Sequence, residues 1–326
     1  MTSIVTNISA NNALQTLRSI NSNLGETQKQ VSTGLRVGKA ADNAAYWSIA
    51  TTMRSDNKSI SAVQDALGLS GAILDTTYEA IASSIDVMSE MKAKLVTAFE
   101  NGVDKTKVNE EITQLKGQLT TTLGAASFNG QNWLSWNSGV DSADKQIVTS
   151  FIRNNDGTVK LGTLSYAINT PPPQTDTNVQ YFVDNGGSGE YGILSTEAFA
   201  IQAGSAKNYV VLKGATAPST ATDLAIDNST TSAELDDMLS TLEGMTKQMT
   251  KVASDIGSLS RTVDQQSDFA SKLSDSIDSG IGRLVDADME EQSSRLSALQ
   301  TQQQLAIQSL SIANSSPRNI LSLFQG

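Results

Sequence analysis

The chain has 326 residues, enough for a sizeable core and more than one domain, and its 34 acidic against 23 basic side chains give a net charge of -11. It contains no Cys and no His, which excludes disulfides and thiolate chemistry and removes the side chain most used for acid/base work near neutral pH. The acidic balance argues against a nucleic-acid partner, because such proteins carry a basic patch that displaces counterions from phosphates.

The start, "MTSIVTNISANNALQTL", lacks the basic-then-apolar order of a secretory leader. No window approaches the roughly 18 uncharged apolar residues of a membrane span. By these tests alone the chain reads as cytoplasmic, on the assumption of the usual export route.

From the N-terminus, a weak apolar seam runs Ala10, Ala13, Leu17, Ile20, Leu24, Thr27, Val31. Steps of three and four residues keep such a stripe on one side of a supercoiled helix. A longer seam follows: Met53, Asp56, Ile60, Val63, Leu67, Ser70, Leu74, Thr77, Ile81, Ser84, Met88, Met91, Leu95, Ala98. A third helix is predicted over Val108, Ile112, Leu115 and Leu119, ending near "GAASFNG".

Residues 134–229 differ in kind. The stretches "QIVTSFI", "VQYFV" and "NYVVLKG" favour strands and are separated by the turn signals "NNDG", "DNGGSG" and "GATAPS", which reads as a compact strand-rich insert. Prolines bracket this centre, with none before Pro171 and none between Pro218 and Pro317, so both flanks are free to be helical throughout.

The returning flank carries the longest seam: Leu235, Met238, Leu242, Met245, Met249, Val252, Ile256, Leu259, Val263, Gln266, Ala270, Leu273, Ile277, Gly280, Leu284. A last, weaker seam runs Leu296, Leu299, Gln303, Ala306, Leu310, Ala313. Small and polar residues interrupt both terminal seams, so neither terminal helix buries enough area to stand alone. Pro317 is expected to end the last helix pattern. Beyond it Ile320, Leu321, Leu323 and Phe324 crowd a terminus where chains usually fray and carry polar residues.

Sites for chemistry are scarce. "GSGEYG", Gly187 to Gly192, satisfies G-x-G-x-x-G without a surrounding βαβ unit and reads as a loop. "DNGGSGE" places Ser195 where a calcium loop needs a bidentate Glu, so it reads as a turn. "VDADMEE" gathers Asp286, Asp288, Glu290 and Glu291 just before a helix pattern, where acids are favoured by the helix dipole. Trp47, Trp133 and Trp136 lie at or near helix ends and read as packing anchors. No catalytic, metal or cofactor site is expected, and the protein does not read as an enzyme.

At "VSTGLRVGKAADNAAYWSIA" the sequence resembles bacterial flagellin. The residues that carry the likeness are Ser32, Thr33, Gly34, Arg36, Ala40, Asp42, Ala44 and Ala45. "NISANNALQTL" is similar to the family's first helix, "SFNGQNWL" with Phe128, Asn129 and Gly130 to its F-N-G turn, and the tail from Asp286 and Asp288 to "NILSLF" to its C-terminal ending. Asn43 stands where the family has a second Asp, and Tyr46 and Trp47 replace the usual small Gly and its neighbour, variants similar to rhizobial-type flagellins.

The resemblance implies a mainly α fold: a long coiled-coil-like helical bundle built from both chain ends, with a small β-rich outer domain inserted in the middle. Residues 1–43 and 285–326 would pair as an inner coiled-coil core, 44–133 with 230–284 would form a helical rod, and 134–229 a surface-exposed variable insert. The implied function is a structural subunit that polymerises helically into the flagellar filament for swimming, after unfolded export through the flagellar type III apparatus. A hook-filament junction protein of the same superfamily is the alternative. Implied partners are further copies of the chain or other flagellins in one filament, with the flagellar cap, junction proteins and an export chaperone, and no nucleic acid or membrane. The implied location is extracellular, in the filament.

Core subunit contacts would then fall on Leu17, Ile20, Leu24, Val31, Leu296, Leu299, Leu310, Ile320, Leu321, Leu323 and Phe324. Side-chain charge favours the terminal pairing modestly, because residues 1–43 carry four basic and two acidic groups while 285–326 carry two basic and four acidic. At physiological salt such exposed attraction is small.

Overall fold

A computed structural model describes residues 7–136, 144–168, 177–184, 192–213 and 220–323, with side chains described as far as 315. Six helices carry most of it: α1 (Ile8–Thr33), α2 (Ala44–Thr97), α3 (Lys105–Ala125), the short α4 (Ala198–Ala203), α5 (Ser232–Val285) and α6 (Met289–Leu323). Between α3 and α5 lies a small middle region with a few strands. The fold is therefore mainly α, with long helices from both chain ends and a small inserted region. No helix among the described residues is long and apolar enough to cross a membrane.

The chain divides into two compact units. Residues 1–58 and 273–326 form one, and 59–272 the other. Both α2 and α5 contribute to each.

In the larger unit, helices α2, α3 and α5 bury the stripes that their periodicity sets out. Leu67, Leu74, Ile81, Met88, Met91 and Leu95 of α2 meet Ile112 and Leu119 of α3 and Leu242, Met245, Met249, Val252 and Ile256 of α5 in one core. Heptad spacing places a large apolar side chain on the same face at every step, and burying each contributes roughly 1.5–3 kcal/mol. Polar seam positions are satisfied locally: Thr77 and Ser84, both buried, donate to the carbonyls of Ile73 and Ala80 at 2.7 Å. Ion pairs at the rim, Lys92–Glu243 between α2 and α5 and Lys94–Glu111 between α2 and α3, both 2.7 Å, add little at such exposed sites.

Capping fixes where these helices start and stop. Asp104 accepts from the Thr106 amide at the start of α3. After α3, Asn129 (φ 50°) and Gly130 (φ 76°) form a two-residue turn closed by two backbone bonds between Phe128 and Gln131. Both dihedrals are left-handed, which favours the Asn-Gly pair found there. Asn132 then ties the turn to the helix, donating to the Leu123 carbonyl and accepting from the Leu134 and Ser135 amides.

Helix α5 opens on a reciprocal cap that the sequence reading passed over. The Thr231 amide donates to Glu234 and the Glu234 amide to the Thr231 hydroxyl, the T-x-x-E arrangement of a capping box. The Lys207 ammonium on Glu234, then the Thr231 amide and hydroxyl, hold the Glu234 carboxyl at about 2, below the ordinary 4.5. A depressed acid contributes stability above its unfolded value and loses it as pH falls through the folded one. Urea midpoints are therefore expected to fall between pH 4.5 and about 2, and Glu234→Gln to flatten that part of the profile. An unchanged slope in the variant would show that Glu234 does not carry the acid sensitivity.

Strands in the middle region form three separate two-stranded sheets. β1 (Ser135–Trp136) pairs with β4 (Val183–Asp184) and β5 (Asn208–Val210) with β6 (Ala221–Asp223), both parallel and short. Only β2 (Asp144–Arg153) and β3 (Val159–Ala167) make a long antiparallel ribbon, with a register shift between Val148 and Ser150 and the "NNDG" turn at its tip. "VQYFV" is mostly irregular. Val179, Tyr181 and Phe182 are all buried, without the alternation of a half-exposed strand, and its backbone bonds go to Leu134 and to Ile193 and Leu194.

The middle region shares its core with the bundle. Trp133 stacks on Tyr166 at 5.9 Å and Trp136 tilts against Tyr181 at 5.6 Å. Gln248 of α5 donates to the Val179 carbonyl, Lys251 to Asn178, and Asn109 of α3 accepts from the Ile226 amide. Lys116 of α3 reaches Asp223 at 2.6 Å, and burial, only partly offset by that pair, pulls its ammonium below the usual range. Gly192 permits the tightest approach: an added Cβ would stand 2.8 Å from the Val183 Cα and closer still to the Phe182 carbonyl. The atoms it would meet are all backbone of Phe182 and Val183, with no flexible side chain to yield, so Gly192→Ala is expected to cost about 1–3 kcal/mol in chemical denaturation.

The loops "GSGEYG" and "DNGGSGE" lie largely outside the described residues, as do Pro171 and Pro218. Among the described residues no group of three or more acids could hold a metal. Trp133 and Trp136 anchor packing as predicted. Trp47 differs, standing 36% exposed beside Tyr46 and Ile49, because the inward face of the first turns of α2 is taken by Ala50. Pro317 does not end the last helix. α6 continues across it to Leu323, since a proline removes one N–H from a ladder that the other residues of a long helix maintain.

Candidate subunit interface

The smaller unit is organised around the pairing of α1 with α6. Three contacts set their direction: Asn7 donates to the Ala313 carbonyl (2.8 Å), Gln303 to Asn21 (2.7 Å), and the Ala287 amide to the Gly34 carbonyl (2.9 Å). As one helix rises in number the other falls, so they run antiparallel. Each seam turns inward as its spacing predicts. Leu24 and Thr27 of α1, with Gln292, Leu299 and Ala306 of α6, are buried, while Leu17, Ile20, Val31, Leu296 and Leu310 are half-buried.

A pair so lined buries few large side chains, and Thr27 and Gln292 occupy two of its covered positions. Its other faces carry Ile8 at 66% exposure, Leu305 at 56%, Ile307 at 53% and Ile312 at 70%. Isolated exposed apolar residues are ordinary, but here they are spread around a thin helix pair that buries few large side chains of its own. Ile320, Leu321 and Leu323 fall on the last turns of α6, and Phe324 lies outside the described residues.

The motif residues cluster where these helices join the rest of the chain. Gly34, left-handed at φ 69°, ends α1 and returns its amide to Gln30. The Arg36 and Val37 amides both donate to the Val285 carbonyl, and the Arg36 guanidinium donates to the Leu284 carbonyl at 3.1 Å. Leu35 and Asp286 form an isolated antiparallel bridge. The connections at 34–43 and 286–288 are thereby zipped together, over a small cluster of Val37, Ala50, Ile281 and Val285.

Asp42, Asn43 and Asp288 of the motifs each have a structural task. Asp42 accepts from the Gly38 and Lys39 amides and lies 3.7 Å from Lys29. Desolvation opposes ionisation there, but those amides and the two lysines together hold its carboxyl below the usual range. Asn43 accepts from the Tyr46 amide and caps α2, a role Asn fills as well as Asp. Asp288 caps α6, accepting from the Glu290 and Glu291 amides, and those two acids sit in the first turn where the dipole favours them. Ser32 and Thr33 are exposed on the last turn of α1, with Thr33 donating to the Lys29 carbonyl.

Among the described motif residues the carboxylates of Asp42 and Asp288 and the amide of Asn43 are engaged in caps and turns. What the arrangement offers is a helix pair whose join is clasped by backbone bonds and whose outer, largely polar faces expose a few large apolar side chains. The bacterial flagellin N-terminal helical region matches residues 4–138, and the flagellin C-terminal helical region matches residues 239–324. The chain belongs to the bacterial flagellin family.

Flagellin C of Rhizobium meliloti (strain 1021) is 50% identical over 330 residues, with all of both chains covered. Flagellin B of Rhizobium meliloti is 44% identical over 395, and a flagellin of Brucella melitensis 38% over 327, again with complete coverage of both. Flagellins are structural proteins, not enzymes, and build the flagellar filament, an extracellular appendage. The two matched regions contain the clasp at 34–43 and 286–288 and both helices of the thin pair.

Proposed function

We propose that this flagellin polymerises helically through its α1–α6 pair, with further copies of the chain covering the apolar side chains that one molecule leaves exposed. The observation that carries this reading is the exposure of Ile8, Leu305, Ile307 and Ile312 on a pair whose own seam is already closed. Apolar burial between copies supplies the stabilisation that weak, screened terminal charge cannot. In this reading Leu17, Ile20, Leu24, Val31, Leu296, Leu299 and Leu310 build the core by closing the pair that other copies pack around, and Ile320, Leu321, Leu323 and Phe324 extend that core at the end of the chain.

The same reading divides the chain in three: 1–43 with 285–326 as inner core, 44–133 with 230–284 as helical rod, and 134–229 as outer domain. Before assembly the terminal stretches are disordered, because so few buried side chains cannot offset the ordering entropy of two long helices. That disorder suits a chain that passes unfolded through the flagellar type III exporter, escorted by a chaperone, and folds beneath a cap at the growing end.

Monomer prepared by heating filaments and then mixed with short filament seeds is expected to elongate them into long filaments under negative-stain electron microscopy. Seeds that stay short at all protein concentrations would end this reading.

A further inference from the structure

An Asn followed by Gly can be attacked by its own backbone, because glycine has no side chain to screen the amide nitrogen that would close on the Asn carboxamide. Two such pairs fall among the described residues, Asn101–Gly102 and Asn129–Gly130, and the fold holds them differently. Asn129–Gly130 sits inside a turn closed by two backbone bonds, the Phe128 amide to Gln131 at 3.0 Å and the Gln131 amide to Phe128 at 2.9 Å, and Phe128 packs against the main core.

Asn101–Gly102 lies in the connection between α2 and α3. Phe99 and Val103 pack on the core at either end of that connection, while Glu100, Asn101 and Gly102 between them are exposed. Gly102 has φ 93°, as the third residue of a turn from Glu100 to Val103 requires. One bond closes this turn, from the Val103 amide to the Glu100 carbonyl at 3.4 Å. That exceeds the ordinary range of about 2.7–3.2 Å. Among the described residues neither the Asn101 carboxamide nor the Gly102 N–H has a hydrogen-bond partner.

We propose that Asn101 is a site of spontaneous deamidation, a covalent modification that the fold permits here and restrains at Asn129. The Gly102 nitrogen bonds to Cγ of Asn101 and gives up its proton. The bond from Cγ to the side-chain nitrogen breaks, and that nitrogen leaves with the proton as ammonia. Water then opens the cyclic imide at one carbonyl to give aspartate, or at the other to give isoaspartate, in which the chain runs through the former side chain. Ring closure needs the 101–102 peptide to swing toward the carboxamide, so the bonds closing each turn oppose it. The new carboxylate stands among Glu100, Asp104, Lys105 and Lys107 at the exposed start of α3, where charges interact weakly, so the modified chain keeps its fold. The reaction takes only water and time, and it marks each copy by age with one added negative charge.

This inference stands apart from the filament reading and is tested on monomer. Folded protein held in mildly alkaline buffer, then digested and mapped by mass spectrometry, is expected to show paired aspartate and isoaspartate products at Asn101. Conversion at Asn129 is expected to be at least about tenfold slower, since two short backbone bonds must open there first. In urea, where neither turn persists, the two sites are expected to convert at similar rates. Asn101→Gln is expected to remove the products at this position and leave the far-UV spectrum unchanged. Conversion at Asn101 no faster than at Asn129 in the folded chain, or a ratio that urea leaves unaltered, would overturn the proposal. So would an Asn101 that stays intact in folded protein while the chain in urea converts completely.

Discussion

Replacing Leu24 by Asp is expected to stop filament growth while the larger unit keeps its fold. Leu24 is among the few large side chains covered between α1 and α6, and a carboxylate there has no partner within the seam. Burying an unpaired charge costs several kcal/mol, more than so thin a helix pair can absorb, so the terminal helices cannot dock on each other or on neighbouring copies. At about 1.4 kcal/mol per factor of ten, seeded elongation is expected to slow by at least about a hundredfold. Emission from Trp133 and Trp136, both buried in the larger unit, is expected to stay unchanged, which separates lost assembly from lost folding. Elongation at the unaltered rate would show that the seam is not the assembly element.

Leu242→Ala is expected to act in the opposite place. This side chain is fully buried where α5 meets α2 and α3, and its removal leaves a cavity in a close-packed core. The expected cost is about 2–5 kcal/mol, a fall in Tm on the order of 10 °C for a unit of this size. Scanning calorimetry of the monomer reads it directly. A loss below about 1 kcal/mol would mean that the site collapses around the smaller residue and that the seam is less tightly packed than its burial indicates.

Most of the helical architecture was legible because a period near 3.5 leaves a physical trace in the residues themselves. Every α5 seam position from Leu235 to Val263 is buried. Beyond it Gln266, Leu273, Ile277 and Gly280 are only partly covered, where polar and small residues already weaken the stripe. Of the long ribbon only the first strand was legible, since "QIVTSFI" before "NNDG" carries β-favouring residues ahead of a turn; its partner Val159–Ala167, interrupted by Gly162, was not read as a strand.

What escaped the sequence depends on partners distant along the chain. The bond from Gln248 to the Val179 carbonyl joins residues 69 apart, and nothing local distinguishes this Gln from a solvated one. "VQYFV" has strand composition, yet three of its side chains are drawn inward at once. The cap at Thr231 and Glu234 was available in the T-x-x-E spacing and was passed over for the apolar seam that follows. At the candidate interface the inward-facing residues Leu24, Leu299 and Ala306 were readable from periodicity. The outward set of Leu305, Ile307 and Ile312 was not, because off-seam apolar residues in one sequence carry no mark of what will cover them.

A helical reconstruction of the native filament tests the central claim most directly. The account predicts Ile8, Leu305, Ile307 and Ile312 packed against other copies of the chain, with the α1–α6 seam closed within each copy. Finding those four side chains facing solvent in a fully assembled filament would contradict it.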